Sequence, residues 1–234
     1  MNFSYQTQPM TMTIEGPEVL APLLIRITGD EKHLPSAYST LDVLWVLYDR
    51  VLRVDPATVD APDRDRFLLS KGHGPAAYYA VLAAKGFFPV GWLDDVGGRD
   101  NPLGHHPDRV RVPGIEIGTG SLGHGLGLAA GTALGLRAQG YTEARVFVLV
   151  GDAELDEGAN HEAIAFLAAT GLPVTAIVID NRSATHGWPG GIGLRFPGWR
   201  VSDVDGRDHD ALEQVLRRTD EPHVVIAHVE RKGH

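Results

Sequence analysis

Val146-Phe147-Val148-Leu149-Val150 runs straight into Gly151-Asp152-Ala153-Glu154, and Val174-Thr175-Ala176-Ile177-Val178-Ile179 runs into Asp180-Asn181-Arg182-Ser183. Both apolar runs are short and largely β-branched or bulky, which is the pattern of strands buried on both faces. Between them Glu157 to Ala169 has a helical pattern, so the stretch reads as one βαβ unit with parallel strands. The alternation continues downstream with a strand at Trp199 to Val204, a helix at Asp210 to Arg217 and a strand at Val224 to His228. Upstream, Phe67 to Leu69 is a strand candidate. Helices are predicted at 17–28, at 40–53 (Leu41, Val43, Leu44, Leu47, Val51 at three- and four-residue steps), at Pro75 to Ala84 and at Ser121 to Leu136. The fold class that follows is α/β, a mostly parallel sheet flanked by helices. No repeat or linker divides the chain, so residues 1–234 read as a single domain with an N-terminal arm over 1–15.

Composition narrows the chemistry. The 21 basic and 30 acidic residues give a formal charge of −9, a field that repels nucleic acid and anionic lipid. A negatively charged small molecule then needs a local device, a helix N-terminus or a divalent cation. The absence of Cys removes disulfides, thiolate zinc sites and Cys nucleophiles, and it suits a reducing compartment. The opening MNFSYQTQPMTMT has no basic region followed by an apolar one, and no apolar run approaches the roughly 20 residues of a membrane span. A soluble cytoplasmic protein is expected. Glycine makes up 28 of the 234 residues, well above the usual share of roughly 7%, and it clusters in particular loops, as where backbone packs closely against something.

In open α/β sheets ligands sit beyond the carboxyl ends of the strands. Asp152 and Asn181 stand at the ends of two strands joined by one crossover, which places two hard oxygen donors on one rim. Magnesium takes such donors and completes its shell with water and phosphate oxygens. The bland reading of the same pair is strand-end turn residues.

Gly151-Asp152-Ala153, followed after 27 residues by Asn181, resembles the thiamine-diphosphate motif written GDG, about 25 residues, NN. Three further segments resemble transketolases: Arg64-Asp65-Arg66-Phe67-Leu68-Leu69-Ser70-Lys71-Gly72-His73-Gly74; Gly104-His105-His106-Pro107-Asp108 leading to Pro113-Gly114-Ile115-Glu116-Ile117-Gly118-Thr119-Gly120-Ser121-Leu122-Gly123; and, more faintly, Glu31-Lys32-His33. The resemblance runs from about residue 17 to 233. It implies the thiamine-diphosphate-binding fold, and only the first of the three transketolase domains, the one that binds the cofactor diphosphate. The chain therefore resembles the N-terminal subunit of a two-component transketolase, whose pyrimidine-binding half, with the activating glutamate, is a separate chain in an α2β2 assembly. A small-molecule substrate is implied, and neither nucleic acid nor membrane.

Carried over position by position, the resemblance makes Asp152 and Asn181 side-chain ligands of Mg2+, with the main-chain carbonyl of Ser183 as the third. Thiamine diphosphate would lie against Gly120, Ser121, Leu122, Gly151, Asp152, Ala153, Glu154 and Asn181, the stretch Gly120 to Gly123 being expected to open a helix toward the diphosphate. His33, His73 and His106 align with family histidines that line the substrate channel and exchange protons with it. His105 and His106 point apart in extended backbone, so one of them faces the site, and His106 is preferred. Glu157 and Glu162 match acids at a subunit contact, or are surface carboxylates. Ala153 stands where the family has Gly and requires a negative φ, Arg182 where Gly is usual, His124 where Gln is usual and His186 where Asp is usual. These departures keep open a degenerate, non-catalytic scaffold subunit. The α-subunit of a 2-oxo acid dehydrogenase shares the metal motif, but the Ser70 to His73 block argues against it. Gly118-Thr119-Gly120-Ser121-Leu122-Gly123 is formally G-x-G-x-x-G, yet it lacks a long preceding strand. His161-Glu162 lacks the second His of a metalloprotease, and no G-x-S-x-G occurs.

Overall fold

A computed structural model describes residues 17–27, 34–72, 75–184, 187–217 and 220–231. Five strands, β1 (Arg66–Leu69), β2 (Val146–Gly151), β3 (Val174–Asp180), β4 (Arg200–Asp205) and β5 (His223–His228), form one sheet in the order β1-β2-β3-β5-β4, every neighbouring pair parallel. Six helices flank it: α1 (Leu20–Arg26), α2 (Leu34–Val46), α3 (Ala76–Ala84), α4 (Gly125–Ala138), α5 (Gly158–Thr170) and α6 (His209–Val215). β2 is buried along its whole length and β3 along all but its last residue, because apolar layers press on both faces. Ile177 and Ile179 point into the layer with α1, α2, α3 and α6, while Ala176 and Val178 point into the layer with α4 and α5. Strict alternation on a strand sends successive side chains to opposite faces, and here both faces are core.

Three boundaries differ from the sequence reading. The helix expected at 40–53 begins at Leu34 and closes in a π turn over Leu47–Val51. Its first turns carry Ser36, Ser39 and Thr40, which are buried, so the apolar period begins only after them. The helix expected from Ser121 begins at Gly125, because the preceding turn is held by side chains from other elements, described below. A 3-10 turn, Ala153–Asp156, precedes α5; the Asp152 carboxylate caps it through the Ala153 N–H. Among the described residues no helix is long and apolar enough to cross a membrane. The proposed arm over 1–15 lies outside the described residues.

At the amino ends of the strands, away from this rim, Asp65 is fully buried and ties two loops together. Its carboxylate accepts from the main-chain N–H groups of Arg53 and Arg145, both at 2.9 Å, and from both guanidinium groups.

Candidate active site

Asp152 and Asn181 lie on the carboxyl rim of neighbouring strands. The ladder carries Gly151 opposite Ile179, and the Asp152 N–H extends it by donating to the Ile179 carbonyl at 3.2 Å. Asp152 is 3% exposed and Asn181 2% exposed. The Asp152 carboxylate accepts from Ala153 N (2.8 Å) and the Ser183 hydroxyl (2.5 Å) on one oxygen, and from Ser183 N (2.7 Å) and Ala184 N (3.3 Å) on the other. Those bonds fold the chain after β3 back over the end of β2, which brings Ser183 to Asp152. Asn181 Nδ2 faces Ser39 Oγ at 3.5 Å, and Asn181 Oδ1 is buried with no hydrogen-bond partner among the described residues. A buried amide oxygen left unpaired costs about 1–3 kcal/mol. A hard cation at this rim satisfies it, and one carboxylate beside one amide oxygen is the donor chemistry magnesium takes.

The positions that depart from the family pattern fit their backbone. Arg182 holds φ 53°, the one left-handed non-glycine among the described residues, so this is a position where glycine relieves strain. Ala153 keeps a negative φ, and its methyl is accommodated. His124 sits at the start of α4 with Nδ1 3.0 Å from Ser121 Oγ and 3.1 Å from the Leu122 carbonyl.

Glu154 occupies the centre of the rim. Its buried carboxylate accepts from Gly123 N at 3.0 Å and Ser70 Oγ at 2.5 Å on one oxygen, and from Gly151 N at 3.1 Å on the other. Ser70 Oγ in turn accepts from Gly125 N at 3.0 Å. The ends of β1 and β2 and the start of α4 are thus joined through one side chain. The same bonds explain the late start of α4, since the Gly123 and Gly125 amides are already committed within the chain and a Cβ on Gly125 would sit 2.2 Å from that of Ser70. Gly120, Ser121 and Leu122 remain exposed on the turn before it.

His106 and His105 do point apart. The His105 ring packs on Gly97, whereas His106 lies over Gly120 and places Nδ1 3.1 Å from the Gly72 carbonyl. A carbonyl only accepts, so Nδ1 donates, and the lone pair of the neutral ring is on Nε2. His106 therefore joins the Gly72 and Gly120 loops at the rim. His33, His73 and His186 lie outside the described residues. Glu157 and Glu162 are exposed on this chain.

Two groups were not legible beforehand. Lys71 reaches from the end of β1 to Ser36, Ser39 and Thr40 on α2. The signal for it was three polar residues at positions 36, 39 and 40, one helical face of an otherwise apolar segment. A cavity of about 550 Å³ opens beside Asp152 under the 187–195 turn, and Arg182, Trp188, Asp203 and His228 line it. There His228 bridges Asp180 (3.0 Å) and Asp203 (2.8 Å). Burial alone would lower the His228 pKa, but the two carboxylates hold it above the ordinary value. Those residues end three strands that only the sheet order brings together.

A parallel sheet whose neighbouring strand ends present a buried aspartate and an orphaned asparagine oxygen, behind an exposed glycine-rich turn, defines an α/β domain built to hold a cation against an anionic ligand. The family model described as transketolase, thiamine diphosphate binding domain, matches residues 28–188, and the chain belongs to that family of transferases. A Rhodococcoides fascians protein named ferredoxin fas2 is 52% identical over 219 residues, 92% of this chain and 72% of that one. One of the two subunits of an apulose-4-phosphate transketolase from Actinobacillus succinogenes is 36% identical over 83% of this chain and 75% of that one. A 6-deoxy-6-sulfo-D-fructose transketolase subunit of a Clostridium species is 35% identical, again over 83% and 75%. This chain has no Cys and so none of the thiolates by which iron–sulfur clusters are held. Among solved structures, a Pichia stipitis transketolase superposes with a TM-score of 0.76 at 21% identity, over 91% of this chain and 36% of that one. The transketolase of Campylobacter jejuni gives 0.73 at 23%, over 93% and 38%. These two likenesses establish the fold, and this chain spans a little over a third of either.

Proposed function

We propose that this chain is the thiamine-diphosphate- and magnesium-binding subunit of a heteromeric transketolase-like enzyme, moving a two-carbon ketol unit from a ketose-type donor to an aldehyde acceptor. The observation that carries the reading is the buried, unpartnered Asn181 Oδ1 on the rim that Asp152 shares. Asp152, Asn181 Oδ1 and the Ser183 main-chain carbonyl would hold the cation, and the Ser183 hydroxyl, which donates to Asp152, would yield its place to it. Bound thiamine diphosphate supplies the carbanion-stabilising centre on which such transfers depend.

The rest falls to the chain itself. Glu154 fixes the relative positions of Gly151 and Gly123, so that Asp152 and the exposed Gly120 to Leu122 turn face one ligand. Held through Nδ1, His106 presents Nε2 to orient a substrate hydroxyl or exchange its proton. His33 and His73 would act beside it. The relatives named as transketolase subunits support a partner chain that carries the pyrimidine-binding half. We place two copies of each chain in the assembly, with the outer faces of α4 and α5, where Leu128, Phe166, Glu157 and Glu162 are exposed, at the contact between copies of this chain, and the whole in the cytoplasm.

Removing an ionised ligand leaves phosphate facing an uncompensated rim. Asp152→Ala should lower magnesium-dependent affinity for thiamine diphosphate at least as far as the roughly 10- to 100-fold known for loss of an outer-shell partner. Titration of the pure chain by calorimetry measures this, and unchanged affinity refutes the assignment. Turnover should appear only on mixing with the partner chain.

A further inference from the structure

We propose that Lys71 and Ser39 choose the orientation of the Asn181 carboxamide and so act as positioning residues for the cation. The proposal rests on the reading of Asn181 as a metal ligand given above. An asparagine carboxamide has nearly the same shape with its oxygen and nitrogen exchanged, yet only the oxygen ligates a hard cation. Something in the surroundings must break that symmetry.

Lys71 does so from a distance. Its stem leaves the end of β1 and passes over Gly151, where an added Cβ would lie 3.5 to 3.8 Å from three of its carbons. The ammonium then donates to the Ser36 carbonyl at 3.0 Å, Ser39 Oγ at 3.2 Å and Thr40 Oγ1 at 3.2 Å. Three donors meet three acceptors. Ser39 Oγ meanwhile donates its own proton to the Ser36 carbonyl at 2.9 Å. With that proton spent and one lone pair taken by Lys71, the hydroxyl has a single lone pair left, and it can only accept. Asn181 Nδ2 is the group that faces it, at 3.5 Å, and Oδ1 is consequently turned the other way, buried and unpartnered.

Ser39 is 6% exposed and Asn181 2%, so water does not compete for this choice. Without the ammonium, the Ser39 hydroxyl is free to swing its proton toward Asn181. The carboxamide then accepts with Oδ1 and leaves an N–H where the cation belongs.

The same bonds also tie α2 to the end of β1, so a purely structural Lys71 would show itself as lost stability alone. The deciding experiment is electron paramagnetic resonance titration of Mn2+ into the full chain with thiamine diphosphate, well below the melting temperature, on wild type, Ser39→Ala, Ser39→Thr, Lys71→Met and Asp152→Ala. Ser39→Ala and Lys71→Met should weaken Mn2+ binding by roughly 10- to 100-fold, the range for outer-shell partners. Ser39→Thr keeps the hydroxyl and should stay within about 3-fold of wild type, well inside that range. If Lys71→Met does not fold, Ser39→Ala against Ser39→Thr decides. Wild-type Mn2+ affinity in Ser39→Ala, with binding lost in Asp152→Ala, overturns the positioning role and leaves the ligand assignment standing. Wild-type affinity in Asp152→Ala as well overturns both.

Discussion

Glu154→Gln separates a brace from a cofactor contact. The side chain keeps its shape but exchanges one acceptor oxygen for an NH2 group, in a place where three donors already point at it. The cheapest placement keeps oxygen on Gly123 N–H and Ser70 O–H and turns NH2 toward Gly151 N–H. Donor then faces donor, the Gly151 amide loses its acceptor, and the two surviving bonds lose their charge assistance. A buried donor left unsatisfied costs about 1–3 kcal/mol, and weakening two charge-assisted bonds adds to it, for a total of about 2–4 kcal/mol. In a chain of this size each kcal/mol lowers Tm by about 2–4 °C, so the expected loss is about 4–16 °C. Calorimetric melting of the ligand-free chain reads it directly. A Tm within about 2 °C of wild type, a loss smaller than about 1 kcal/mol would cause, together with weakened thiamine diphosphate binding, would mean that Glu154 serves the ligand and does not brace the rim.

Asp65→Asn tests the other end of the sheet. Burial opposes ionisation of Asp65, but bonds from Arg145 and Arg53 overcome it and hold the pKa below the usual carboxylate range. Breaking a buried pair costs about 3–5 kcal/mol, which predicts a Tm loss of about 6–20 °C with Mn2+ affinity of the folded chain intact; a co-operative loss of metal binding would contradict this. Because its folded pKa is depressed, the Asp65 contribution is present above the unfolded pKa and fades as pH falls through the folded one. His223 acts in a higher window. Burial, reinforced by the Arg200 charge, lowers it to about 4, and its Nδ1 has no partner among the described residues. Between pH 6.5 and about 4 the unfolded chain takes up a proton that the folded one refuses, so stability falls by about 1.4 kcal/mol per pH unit, about 3 kcal/mol in all. Urea unfolding of wild type and His223→Gln at pH 7 and 5 should show the smaller loss in the variant, and parallel losses would remove His223 as the cause. Ser183→Ala keeps the main-chain carbonyl and deletes the hydroxyl that donates to Asp152. Mn2+ affinity should hold or rise, and a drop of 10-fold or more would make the hydroxyl the ligand.

The strands and the two metal-ligand candidates were legible in the sequence because both are local facts. A run such as Val174 to Ile179 cannot be anything but doubly buried strand between Pro173 and Asp180-Asn181, and parallel pairing then puts Asp152 and Asn181 at the same end. The family pattern at Arg182 was legible too, since glycine there marks a left-handed backbone, and φ 53° is what this chain adopts. Tertiary structure alone decided which polar groups are already spent. Gly123 and Gly125 read as open helix amides until Glu154 and Ser70, from the ends of other strands, claim them and delay α4. Lys71 and Ser39 are 32 residues apart, and Ser39 and Asn181 are 142 apart. His228 meets Asp180 and Asp203 only because β5 lies between β3 and β4. Hydrogen bonds are short-ranged and strictly paired, so which donor finds which acceptor depends on the assembled sheet. Backbone preference and apolar period act within a few residues and can be read along the chain.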